Sequence, residues 1–138
     1  MVPPPPPITR QTGRDRPAPV YRQAVRGACD PYRYDLSTAQ TAPARSDTLL
    51  TRGLSLSLFY RDAAVDADIV SEEIDGRYRV VSVLPRCNGR NSFNLTFLLE
   101  DPSRETLFVR TYLFGDGTFY DRDDYPVTTA DDVRFMLR

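Results

Sequence analysis

Between residues 77 and 120 four short apolar runs follow one another: 77–84, 92–99, 105–114 and 118–120. Each is rich in β-branched and aromatic residues, and turn formers separate them: Pro85 and Asn88-Gly89, then Asp101-Pro102-Ser103, then Asp116-Gly117. Runs of this length between such residues read as strands, and strands joined by short turns form an antiparallel meander. Upstream, 53–60 alternates, with Leu54, Leu56, Leu58 and Tyr60 on one side and Ser55, Ser57 and Phe59 on the other. That is the pattern of a half-buried strand. Residues 62–71 also alternate, Val65, Ala67 and Ile69 against Asp66 and Asp68. This predicts a further strand, turned by Asp75-Gly76 into the run at Arg77.

Within the meander, Phe93, Leu95, Phe97 and Leu99 form the expected inward face, and 85–91 reads as a long linker. In the run 105–114 neither parity is polar: Leu107, Val109, Thr111 and Leu113 stand on one, Phe108, Arg110, Tyr112 and Phe114 on the other. Such a strand is either covered on both sides or presents its second face to a partner. Residues 35–52 read as a loop with a turn or two of helix around Pro43. A final helix is expected over 130–137, capped by Thr128 or Thr129 and tethered by Phe135 and Leu137. Asp131 and Asp132 in its first turn, and Arg134 and Arg138 near its end, suit the helix dipole.

The first 34 residues differ in kind. Pro3 to Pro7 favour an extended polyproline conformation, and the polar, basic, proline-bearing sequence continues to Pro19. Arg10, Arg14, Arg16, Arg22, Arg26 and Arg33 stand there against Asp15 and Asp30, six against two, a net +4. From 35 to 138 twelve arginines face seventeen acids, a net −5. The expected fold is therefore mainly β: a small antiparallel meander or barrel-like sheet over 35–138, with a short C-terminal helix and an extended N-terminal arm over 1–34. Tyr32 and Tyr34 share a parity and would anchor the arm on the body.

Composition narrows the chemistry. The chain of 138 residues has no histidine and two cysteines. Histidine-dependent triads and ordinary zinc sites are thereby excluded. No glycine-rich phosphate loop is present, so no metal, haem or nucleotide is expected as a cofactor. All 18 basic residues are arginine, which reads first as codon usage and second as suitability for bidentate contacts. Asp116, Asp121, Asp123 and Asp124 lack the order of a calcium loop and read as a solvated stretch. Asp66 and Asp68, roughly 7 Å apart on a strand, read as edge charge before they read as a catalytic pair. Glu72-Glu73 reads as solubility. Cys87, between Arg86 and Arg90, and Cys29 are expected reduced. The sequon Asn94-Leu95-Thr96 falls within a strand and reads as chance.

No run of about 18 apolar residues suggests a membrane span, and prolines occupy the place of a secretory apolar stretch. A cytoplasmic location, or one within a large particle, is the expectation. The functional expectation is a non-enzymatic structural or adaptor subunit, contacting protein partners, identical copies included, through the arm and an apolar sheet face. The residues expected to make those contacts are Pro3, Pro4, Pro5, Arg10, Arg14, Arg16, Tyr21, Tyr32, Tyr34, Phe108 and Tyr112. The alternative is a nucleic-acid-binding small barrel with Arg77, Arg79 and Arg110 beside Phe59, Tyr78, Phe108 and Tyr112, which the acidic body disfavours.

Overall fold

The computed structural model describes residues 20–41, 50–89 and 91–127. They form two four-stranded antiparallel sheets, each a meander, and neither closes into a barrel. The first contains β1 (Val20–Cys29), β2 (Tyr32–Thr41), β3 (Leu50–Tyr60) and the two-residue β4 (Ala63–Ala64), in that order. A short helix, α1 (Asp68–Ile74), leads to the second sheet: β5 (Arg79–Asn88), β6 (Ser92–Asp101), β7 (Thr106–Gly115) and β8 (Thr118–Pro126). The expected C-terminal helix and residues 1–19 of the expected arm lie outside the described residues.

The second sheet follows the sequence pattern closely. Phe93, Leu95, Phe97 and Leu99 are fully buried, as their alternation predicts. Asp116 and Gly117 both adopt positive φ, 52° and 77°, the geometry of a tight type I′ hairpin turn between β7 and β8. Residues 85–88, expected as linker, instead extend β5, with Pro85 opposite Leu95 on an edge strand. Proline is tolerated there because an edge strand need not donate on its free side.

Three elements differ from expectation. Residues 20–34, assigned to an extended arm, are a hairpin whose strands pair from Val20↔Thr41 to Cys29↔Tyr32. The turn is made by Asp30-Pro31, joined by a cis peptide. Residues 35–41 and 50–52, read as loop, belong to β2 and β3. The predicted strand over 62–71 is instead largely α1. Ala67, Val70 and Ile74 are buried at i, i+3 and i+7, a helical stripe that coexists with the period-two pattern over the same residues. Asp66 and Asp68 thus belong to the start of a helix, where Asp66 Oδ1 accepts the Asp68 backbone N–H at 3.2 Å. Asp75-Gly76 ends the helix rather than closing a hairpin.

One core fills the space between the sheets. Leu36, Leu54 and Leu58 from the first sheet meet Phe93, Leu95, Phe97, Tyr112 and Phe114 from the second, and Val70 and Ile74 of α1 complete it. Ladders at each end tie the layers. Gln23 donates to the Val80 carbonyl at 2.7 Å, and the Thr51 backbone N–H donates to the Tyr78 carbonyl at 3.0 Å. At the other end the Tyr32 hydroxyl donates to the Asn91 carbonyl at 2.7 Å and accepts the Gly117 N–H at 3.1 Å. Cys29 and Cys87, expected as free thiols, are disulfide-bonded, with Cα atoms 6.2 Å apart. The β1 and β2 hairpin, absent from the expected fold, carries Cys29 beside β5 and makes the pairing possible.

Candidate functional site

The most organised polar cluster lies where α1 meets the rim of the second sheet. β7 points Phe108, Arg110, Tyr112 and Phe114 to the core side, because side chains alternate along a strand. An arginine in such a row must carry its partners with it. Arg110 pairs directly with Asp124 of β8. Its Nε donates to Asp124 Oδ1 at 2.9 Å and its Nη2 to Oδ2 at 3.0 Å, a bidentate pair. Nη1 donates to the Tyr112 hydroxyl at 3.3 Å. That hydroxyl donates in turn to Glu73 Oε1 of α1 at 3.0 Å, and the same carboxylate accepts from Arg122 Nη1 at 2.9 Å. Two arginines, two carboxylates and one phenol form a closed circuit. Arg110 also lies about equally over the rings of Tyr78 and Phe108, 5.4 Å from each centroid.

The electrostatics follow from burial and pairing. Burial works against the Arg110 charge, but the Asp124 hydrogen bonds and the Tyr112 contact outweigh it and hold the guanidinium above its ordinary value. Burial pushes the Tyr112 phenol upward, with Glu73 adding to the rise and Arg110 opposing it. The Glu73 hydrogen bond raises Arg122.

Beside the circuit a shallow open depression of about 470 Å³ is lined by Tyr78, Asp101, Arg104, Leu107, Phe108, Arg110, Tyr125 and Pro126, among others. Its walls are mixed. Leu107 and Tyr125 are exposed there, Phe108 is half-buried, and the Ser103 hydroxyl holds Asp101 below the usual carboxylate range. Leu107, Tyr125 and Tyr120 are the large apolar residues exposed among those described, and all three lie on β7 and β8.

The expected contact residues separate under this geometry. Pro3, Pro4, Pro5, Arg10, Arg14 and Arg16 lie outside the described residues. Tyr21 is in β1. Tyr32 and Tyr112 are core residues, 1% and 0% exposed, and are not available to a partner. Tyr34 packs on Phe93, its ring centroid 5.3 Å away, so the two tyrosines anchor the hairpin. Phe108 remains at the floor of the depression. The arginines expected to converge on an open face do not: Arg110 is buried and points to the core side, Arg79 pairs with Glu100, and Arg77 is in the turn after α1. The acidic stretch of β8 is divided, with Asp124 inward and Asp121 and Asp123 on the other face. Among the described residues no three metal-ligating side chains gather, and no helix is long and apolar enough to cross a membrane. Glu73, read from sequence as a solubilising charge, is instead the hub of the circuit; only the placement of α1 against β7 reveals it.

The chain matches no protein-family model, no curated protein sequence and no solved structure.

Proposed function

We propose that the protein is a non-enzymatic structural or adaptor subunit of a larger assembly. It contacts protein partners, identical copies included, through its basic N-terminal segment and the apolar rim of β7 and β8. The observation that carries this reading is the distribution of exposed apolar side chains. Leu107 and Tyr125 border the depression at one end of the β7 and β8 pair while Tyr120 stands beside the turn at the other end, and the neighbouring buried charges are satisfied internally by the Arg110, Asp124, Glu73 and Arg122 circuit. Exposed apolar side chains beside an open depression are common material of protein contacts. Residues 1–19 supply Arg10, Arg14 and Arg16 against Asp15, and an acidic neighbouring body attracts them.

The alternative, a nucleic-acid-binding module, draws on Arg33 stacked over Phe59 at 4.7 Å on the outer face of the first sheet. Arg33 and Arg26 are each opposed there by an aspartate, Asp62 and Asp35, which weakens a phosphate-binding reading. Sizing the full chain beside a variant beginning at Val20 tests the assembly reading. The full chain is expected to associate and the shortened one to associate less. If both remain monomeric and only oligonucleotide binding is found, falling steeply with salt, the alternative replaces this reading.

A further inference from the structure

We propose that the free edge of β1 pairs with the free edge of β8 in a second copy of the chain, so that copies join head to tail. This rests on the assembly reading above and names the contact between identical copies.

A strand at the margin of a sheet presents unpaired backbone N–H and carbonyl groups. Proteins block that template with prolines, bulges, charges or very short strands. The four sheet margins differ in how far they are blocked. β4 is two residues long. β5 carries Pro85 and a register shift between Val80 and Ser82. β1 has neither device: it pairs with β2 over ten consecutive residues without a shift and contains no proline. The β8 register shifts beside Tyr120, but residues 121–125 pair regularly with β7. Among the described residues β1 pairs with β2 alone and β8 with β7 alone, and no other backbone hydrogen bond reaches either strand.

Charge decides which edges meet. β1 carries Arg22 and Arg26 and no acid. Arg26 is 81% exposed, and its pair with Asp35 is long, at 4.0 Å. β8 carries Asp121, Asp123 and Asp124 against Arg122. The inward circuit takes up Asp124 and Arg122, which leaves Asp121 and Asp123 exposed on the outer face. Two β1 edges would set arginines together, and two β8 edges would set aspartates together. Like charges opposed across a strand pair destabilise it, and opposite charges support it. β1 against β8 brings Arg26 beside Asp121 or Asp123, both on an outer face. Such a contact joins two different surfaces, so it builds rings or filaments rather than two-fold pairs. A single short strand pairing is marginal by itself. It therefore acts together with the attraction of an acidic neighbour for Arg10, Arg14 and Arg16, which precede β1 in the sequence.

The test is complementation between full-length variants, read by sedimentation. Arg22→Glu/Arg26→Glu makes β1 acidic, and Asp121→Arg/Asp123→Arg makes β8 basic. In each variant alone the two edges carry like charge, and the association constant is expected to fall about tenfold or more. An equal mixture is expected to recover association, since the β8 of the first variant and the β1 of the second are both unaltered. A two-fold β1 contact would leave the Asp121→Arg/Asp123→Arg variant associated, and a two-fold β8 contact the Arg22→Glu/Arg26→Glu variant. Where a variant does not fold, Arg26→Glu or Asp123→Arg, each at an exposed position, takes its place. If either variant associates as the parent chain does, or the mixture recovers nothing, the edge pairing is overturned while the assembly reading stands. A parent chain that is monomeric throughout overturns both.

Discussion

At the scale of single residues, two positions show how narrowly the local chemistry is set. Gly117 sits at φ 77°, and a Cβ there would stand 2.8 Å from the Tyr60 ring. Both the backbone conformation and the contact favour glycine. Gly117→Ala is expected to lower unfolding stability by about 2 kcal/mol or more, combining the positive-φ cost with displacement of Tyr60. Urea unfolding measures it, and a change below about 0.5 kcal/mol would show that the turn and Tyr60 adjust freely. Arg110 is the second position. Removing Asp124 leaves a guanidinium that is 5% exposed with its best partner gone. Losing one member of a buried pair costs about 3–5 kcal/mol; with Asp124 itself a third exposed, about 2 kcal/mol is expected for Asp124→Ala. The double variant Arg110→Met/Asp124→Ala should recover much of that loss, since it removes the charge as well as its partner. A double variant worse than the sum of the single ones would contradict this account of the circuit.

At the scale of elements, the sequence disclosed strands whose pattern and turn chemistry agree. The β6 alternation and the Asp116-Gly117 turn are such cases. Where two periods overlap, as over Ala67, Val70 and Ile74, strand and helix were not separable from the pattern alone. The β1 and β2 hairpin was hidden for a different reason: Arg22, Gln23 and Arg26 dilute its apolar positions, and it follows a proline-rich stretch. The circuit depended on a feature with no clear sequence mark. The β7 and β8 register shifts by one residue between Leu113 and Phe114, leaving Tyr120 unpaired. Without that bulge Asp123 rather than Asp124 would stand opposite Arg110, because a one-residue slip exchanges the two faces. Phe108 and Tyr112 share a strand parity, so parity alone does not separate the half-buried Phe108 from the buried Tyr112; the placement of Glu73 on α1 beside Tyr112 does.

The phenols of the core give this architecture a pH signature. Burial raises both Tyr32 and Tyr112 above the ordinary tyrosine value. Unfolded tyrosines ionise near pH ~10. Above that, native Tyr32 and Tyr112 keep protons that the unfolded chain releases, so stability falls as pH rises. Their contribution is intact below pH ~10 and is lost progressively above it. Unfolding midpoints should therefore be level through neutrality and decline in alkali, and Tyr112→Phe should make the decline shallower. A decline unaltered by Tyr112→Phe would remove Tyr112 from its cause.

At the scale of the whole molecule, the disulfide binds the two sheets across 58 residues of chain. Loop-closure entropy for that separation amounts to about 4 kcal/mol, and native disulfides typically contribute about 2–4 kcal/mol. A thiol count on unreduced, denatured protein should return none, and reduction should lower the unfolding midpoint without changing the strand content. Two free thiols would show that the sheets hold together without the bond. A deletion through residue 34 would remove β1 and Cys29, so a deletion that tests the N-terminal segment must end before Val20.

On the proposed assembly, the charge of residues 1–19 drives association. It is tested most directly by sedimentation equilibrium of the full chain beside its Arg10→Glu/Arg14→Glu/Arg16→Glu variant, each at roughly 50 mM and roughly 500 mM salt, conditions that shorten the screening length about threefold. The full chain is expected to associate at low salt and less at high salt, and the variant to associate at neither. Equal association of the two chains, or a full chain monomeric throughout, would contradict it.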